Sequence, residues 1–244
     1  MTRSRAVVFD LDDTLYPERD FVLGGFGAVA AWGETHLGIP KDEGYRALLR
    51  MYEDGVRGDT FDRWLGARGI DPGPIVPQLV DAYRRHAPRI APFPGVPAML
   101  GRLRAGHRVG LVSDGFLAVQ RRKLDALGIG SLFDAVVFSD EWGRDGWKPS
   151  PAPFLAALER LGVAADSAVY VGDNPLKDFL GARLAGMRTV QVRRPGGEYC
   201  RAVAPTKAHE ADRVLRDLDE LERLLASWPG ADGPADGERG ERRA

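Results

Sequence analysis

Cysteine is almost absent: Cys200 stands alone in a chain of 244 residues. A lone thiol excludes an intrachain disulfide framework and fits a reducing compartment. It also cannot serve a cysteine-nucleophile phosphatase loop of the form CxxxxxR, because Thr206 occupies the place of the arginine. Net charge is nearly nil. With 34 Lys plus Arg against 35 Asp plus Glu, the formal charge is −1, and no overall field draws the chain toward nucleic acid or an anionic membrane. Long apolar runs are missing as well. The segment FVLGGFGAVAAW (21–32) is too short to span a bilayer and has no basic leader and cleavage site directly before it, so a soluble, cytoplasmic protein is expected. The four histidines are scattered and form no ligand pattern.

What remains is an ordinary globular composition, long enough for one large domain or a core with an appendage. Short β-branched runs occur at 5–10, HRVGLVS (107–113), DAVVFS (134–139), SAVYVG (167–172) and RTVQVR (188–193). Helical patterns at 116–128, 151–162 and 176–186 lie between them, each closing on glycine. This alternation predicts an α/β fold: a Rossmann-like parallel sheet flanked by helices, with its ligand crevice off the carboxyl ends of the strands. From Pro17 to Arg89 the pattern is helical throughout, with stripes at Leu48, Leu49, Tyr52 and Val56 and at Leu79, Val80, Tyr83 and Ala87. A parallel crossover needs only about a dozen residues. The excess predicts an all-helical cap (17–89) inserted in a core formed by 1–16 and 90–228. The tail at 229–244, rich in Pro, Gly and charge, is expected to be disordered.

Three acids, Asp10, Asp12 and Asp13, follow the first strand directly. Crowded carboxylates at a strand end repel one another unless a divalent cation turns them into ligands, and Mg²⁺ favours one or two carboxylates with waters and phosphate oxygens. VYVGDNPLKD adds Asp173 at another strand end and Asp178 a helical turn on. Ser113 with the backbone of Gly115 offers donors to phosphate oxygens, and Lys148 supplies a fixed positive charge. Four acids and a phosphate dianion outweigh one Mg²⁺ and one lysine, which predicts that one acid is protonated when substrate is bound.

In DLDDTL, LVSDG, WKPSP and GDNPLKD, order and approximate spacing resemble the four motifs of the haloacid dehalogenase (HAD) superfamily, over residues 5 to about 225. The helical insertion is similar to the C1-type cap of subfamily I. The resemblance implies that Asp10 is the nucleophile and carries an aspartyl phosphate. It implies that Asp12 protonates the leaving alcohol and then activates water. Mg²⁺ would be held by Asp10, the Asp12 carbonyl and Asp173, while Asp178 orients a metal-bound water or Lys148. Thr14 is expected to brace the nucleophile loop by hydrogen bonding. Asp114, where the family often has Asn, belongs to the phosphate loop but brings a negative charge. SDEWGRDGWKPSP is longer than the commonest form before its lysine, which makes Trp142 and Trp147 candidates for the crevice wall.

The implied activity is a Mg²⁺-dependent phosphatase acting on a small phosphorylated metabolite, with no nucleic-acid or membrane partner. A phosphomutase is the nearest alternative. A dehalogenase would leave Asp12 and Asp173 idle, a phospho-accepting signalling module has no use for a cap, and a silent binding protein has none for so many charged rim residues. Each residue also has a plainer reading. Asp13 reads as a capping or solvated residue, and GxGxxA in the cap as close helix packing rather than a dinucleotide loop. Tyr52, Phe61, Trp64 and Tyr83 read as cap core before substrate contacts, and Arg57, Arg63, Arg84 and Arg85 as a solvated face before an anion site. Oligomeric state is not legible.

Overall fold

The computed structural model describes residues 5–228; the tail expected at 229–244 lies outside them. The apolar runs form β1 (Arg5–Phe9), β2 (His107–Ser113), β3 (Ala135–Phe138), β4 (Ala168–Gly172) and β5 (Arg188–Val192), and a sixth strand, β6 (Arg213–Leu215), extends the sheet. All neighbours pair in parallel, in the order β3-β2-β1-β4-β5-β6. Successive side chains of β1 point to opposite faces, so Val7 and Phe9 enter one apolar cluster and Ala6 and Val8 another. With both faces covered, Ala6 to Phe9 are all apolar, and the first polar side chain after them is Asp10 at the strand end.

Five helices stand between β1 and β2, of which the first four are α1 (Glu18–Leu37), α2 (Lys41–Glu53), α3 (Thr60–Gly66) and α4 (Val76–Arg85). These four share a separate apolar cluster of Phe26, Val29, Leu48, Trp64, Leu65 and Leu79. The glycines of GGFGAV lie inside α1, where a Cβ at Gly25 would stand 2.4 Å from the Tyr83 ring and one at Gly24 3.0 Å from His86, so these two serve close packing, whereas one at Gly27 would meet nothing within 4 Å. Both predicted stripes overrun their helices: Val56 falls beyond α2, and Ala87 beyond α4.

The chain returns to the sheet through α5 (Val96–Leu103). Together with α6 (Leu117–Leu127) and α9 (Leu221–Ser227) it covers one face, while α7 (Ala152–Leu161) and α8 (Asp178–Leu184) cover the other. Gly128 and Gly162 take the left-handed conformation that ends α6 and α7, as the glycine positions predict. Among the described residues no helix is long and apolar enough to cross a membrane.

Candidate active site

Strands β2, β1 and β4 are neighbours, so their carboxyl ends lie side by side. The residues that follow them, Asp114, Asp10 and Asp173, line one cavity of about 320 Å³. Glu18, Phe21, Tyr83 and Arg84 of the helical insertion line it too. A hydrogen bond from Asp10 N to Val171 O (2.8 Å) carries the sheet one residue past β1 and fixes where the carboxylate emerges.

Lys148 is buried and uses all three ammonium hydrogens: it donates to Asp10 Oδ1, to the Tyr170 hydroxyl (2.6 Å) and to Asp178 Oδ1 (3.0 Å). Asp178, with no exposed surface, also accepts from Asn174 N (2.9 Å). Its carboxylate is thus satisfied by protein donors, and it sets the position of Lys148. Asp173 differs. One oxygen each from Asp10, Asp173 and Asp178 lie within 4.8 Å of one another, yet among the described residues no donor reaches the Asp173 carboxylate. Burial, with Asp178 and Asp10 close by, holds the Asp173 carboxyl well above the ordinary range. Burial likewise raises Asp10 to about 7, although Lys148 pulls it down. Buried carboxylates that repel one another, one of them without a donor, fit a divalent cation.

Asp12 sits in another setting. Its carboxylate accepts from Lys123 Nζ (2.7 Å) and from the Tyr16 hydroxyl, and Gln120 lies at 3.4 Å. Burial pushes its carboxyl up, but the Lys123 charge and these hydrogen bonds outweigh that and leave it lowered. Lys123 also stands 3.5 Å from Glu18, which burial and the Asp12 charge raise to about 7. The charge count made from the sequence included Lys148 alone, whereas the cavity also holds Lys123 and Lys177. Without metal or substrate, Asp10, Asp173 and Glu18 are raised toward the protonated form, whereas Asp12 is lowered.

Other expectations are corrected. Thr14 does not line the cavity, and among the described residues its buried hydroxyl has no hydrogen-bond partner; the loop is braced instead by Asp13, which accepts from Glu18 N (2.9 Å) and Glu198 N (3.0 Å). Asp13 is therefore a buried cap on the backbone, not a solvated residue. Ser113 is buried and donates to Gln120 Oε1 (3.0 Å), whereas Gly115 faces the cavity. Asp114 accepts from Ser139 Oγ (2.7 Å), Lys148 N (2.9 Å) and Lys177 Nζ (3.1 Å). Burial raises its carboxyl, and the lysines and these donors reverse this, so its charge is neutralised and it ties the Lys148 segment to β2. Trp147 lines the cavity; Trp142 does not and is 42% exposed. Trp64 is core, while Tyr52 and Phe61 line a neighbouring cap cavity of about 300 Å³ and Tyr83 lines both. Arg63 and Arg85 pair with Asp59 and Asp81, and Arg57 pairs with Glu198, leaving Arg84 as the cap arginine at the catalytic cavity.

The sequence reading missed Lys123, Gln120, Lys177 and Tyr16. One signal was available: Gln120 and Lys123 share the helical face of Leu124 and Leu127, so polar groups sit on a core-facing stripe.

Residues 7–192 match the haloacid dehalogenase-like hydrolase family. The chain is 40% identical over 205 residues to a glyceraldehyde 3-phosphate phosphatase of Methanopyrus kandleri, covering 80% of this chain and 85% of that one. It is 31% identical over 230 residues to the pyrimidine 5'-nucleotidase YjjG of Escherichia coli, covering 90% and 96%. A crystal structure of a HAD phosphatase from Thermococcus onnurineus is similar, with a TM-score of 0.61 at 29% identity over 91% of this chain and 97% of that one. Strand order, acidic strand ends and sequence likeness agree, and the chain belongs to the haloacid dehalogenase-like hydrolases.

Proposed function

We propose that this cavity hydrolyses a small phosphomonoester in two displacements, with Asp10 as nucleophile. The chain is a phosphomonoester hydrolase. The observation that carries the reading is the convergence of Asp10, Lys148 and the pair Asp173 and Asp178, from three separate segments, onto one buried point at the strand ends.

In the first displacement an Asp10 carboxylate oxygen bonds to phosphorus as the P–O bond to the leaving alcohol breaks, and a proton from Asp12 goes to that oxygen. In the second, water attacks the aspartyl phosphate, Asp12 takes the water's proton, and Asp10 is released with inorganic phosphate. Lys123 and Tyr16 favour the ionised Asp12 that the second step needs. The phosphate charge, arriving beside it, favours the protonated form for the first. Lys148 keeps one Asp10 oxygen oriented and offsets its charge, while Asp178 and Tyr170 hold Lys148 in place.

Asp10 and Asp173, with the Asp12 carbonyl, would hold Mg²⁺, which would neutralise phosphoryl oxygens facing the nucleophile. Gly115 offers its backbone N–H to the phosphoryl group, and the insertion residues Phe21 and Tyr83 screen the site from bulk water. The cavity volume suits a metabolite of triose-phosphate size, in keeping with the archaeal relatives. The test is phosphate release from a panel of phosphorylated metabolites, with Mg²⁺ or EDTA, beside Asp10→Asn. Release that survives EDTA or the substitution would refute the mechanism.

A further inference from the structure

Four cationic side chains line the catalytic cavity or back it directly. Three are matched to carboxylates: Lys148 to Asp10 and Asp178, Lys123 to Asp12 and Glu18, and Lys177 to Asp114. The fourth is Arg84, near the end of α4, and among the described residues no carboxylate pairs with it. Its guanidinium lies instead over the Phe116 ring, 3.7 Å from the centroid. Phe116 packs edge-on against Trp147 at 5.5 Å, and both rings line the cavity. Arg144 approaches the same two rings, 4.8 Å from Phe116 and 4.1 Å from Trp147, again without a carboxylate partner. The backbone beneath Arg84 is anchored to the core, since Arg122 donates to its carbonyl at 2.6 Å.

Stacking on an aromatic face fixes a guanidinium plane and leaves its in-plane N–H groups free for a planar anion. Glu18 lines the same cavity, with Lys123 3.5 Å away, whereas Arg57 lines the neighbouring cavity and is matched by Glu198. Arg84 is thus the cation lining the cavity whose charge no carboxylate among the described residues offsets, and it attracts a negatively charged leaving group.

We propose that Arg84 is a specificity-determining residue that receives a second anionic group, a carboxylate on the leaving alcohol, so that the preferred substrate is a phosphorylated hydroxy acid rather than a neutral sugar phosphate. The proposal rests on the phosphatase reading given above and names its substrate class. Arg144 adds to the positive field at the aromatic pair.

The test uses two probes matched in carbon skeleton, 3-phosphoglycerate and glycerol 3-phosphate, which differ by a carboxylate against a hydroxymethyl group. Wild type should show kcat/KM about tenfold or more higher for the acid, a ratio of the size expected for one oriented ion pair. Arg84→Gln should bring the ratio to about one, mostly through a higher KM for 3-phosphoglycerate. Arg84→Lys should keep only part of the preference. Arg85→Gln, one residue on and paired with Asp81, serves as the control. An equal loss on both probes would assign Arg84 a purely structural cap contact and overturn the proposal, as would an unchanged ratio. Calorimetric titration of Asp10→Asn with the two probes, with and without Arg84→Gln, reads the same preference in the absence of turnover. A phosphatase failure would then show as no phosphate release from any ester, whereas failure of this proposal shows as 3-phosphoglycerate binding no tighter than its neutral match, or not at all.

Discussion

Replacing Lys123 by Met keeps the length and apolar body of the side chain and removes only its charge. The side chain is 3% exposed and its ammonium lies 2.7 Å from Asp12 and 3.5 Å from Glu18, whose side chains are 20% and 34% exposed. Breaking a buried pair from one side costs about 3–5 kcal/mol because the remaining charge is left without compensation. Partial solvent access of both acids sets the value at the lower end, about 3 kcal/mol near neutral pH. For a chain of this size that corresponds to a fall in Tm of roughly 6–12 °C. The sign of the pH dependence follows from the two partners. Asp12 is lowered, so its contribution is present above the ordinary carboxylate value near 3.8 and disappears as pH falls through its folded value. Lys123 is raised from 10.5: burial lowers it, and Asp12 and Glu18 more than reverse that. Its contribution is complete below 10.5 and is lost only as pH rises past its folded value. Both contributions are intact between about pH 5 and pH 10 in wild type. In Lys123→Met the abandoned carboxylates rise and protonate on acidification, so the deficit should be largest near pH 8 and shrink toward pH 5. Thermal unfolding followed by circular dichroism at the two pH values checks this. Kinetics add a second readout: with Asp12 no longer held, alkyl phosphates should lose far more kcat than p-nitrophenyl phosphate, whose leaving group needs no proton. A Tm drop that is small and the same at both pH values would refute the reasoning.

Three further outcomes follow from the site. Asp10→Asn should fold, judged by an unchanged circular dichroism spectrum, and lose turnover by about four orders of magnitude or more, as expected when a covalent nucleophile is removed. Asp10 is raised to about 7 and Asp173 is raised as well, so the metal-free protein binds extra protons on folding and this part of its stability declines as pH rises from about 4 through 7. Mg²⁺ should therefore raise Tm more at pH 8 than at pH 5.5, and Asp173→Ala should abolish the response in differential scanning fluorimetry. Gly181→Ala would place a Cβ 2.5 Å from Pro149 O and 2.8 Å from Ser150 O, so α8 must move away from the segment that carries Lys148. A loss of about 1–3 kcal/mol in urea unfolding is expected, together with a reduced kcat.

The five long strands were legible because burial on both faces leaves an uninterrupted apolar run, as in Ala6 to Phe9. The sixth was not: Arg213–Leu215 has one buried residue, Leu215, among charged neighbours, and it becomes a strand only by pairing with β5. The acids and Lys148 were legible for a related reason, since polar residues at the ends of such runs have no structural cause of their own. Lys123 was hidden within α6 and Lys177 in the turn before α8, where a charge ordinarily reads as solvated surface. Thr14 and Ser113 show the opposite limit, because order along the chain does not say which way a hydroxyl turns, and here one has no partner among the described residues and the other meets Gln120.

Glu198 fastens two parts of the molecule at once. Its amide is tied to Asp13, beside the nucleophile, and its carboxylate grips Arg57 of the helical insertion at 2.8 Å and 2.9 Å. The two ties respond differently to salt: the first is part-buried and short-ranged, while the second faces solvent and is screened by mobile ions. Rising ionic strength thus weakens the grip on Arg57 while the tie to Asp13 beneath it holds.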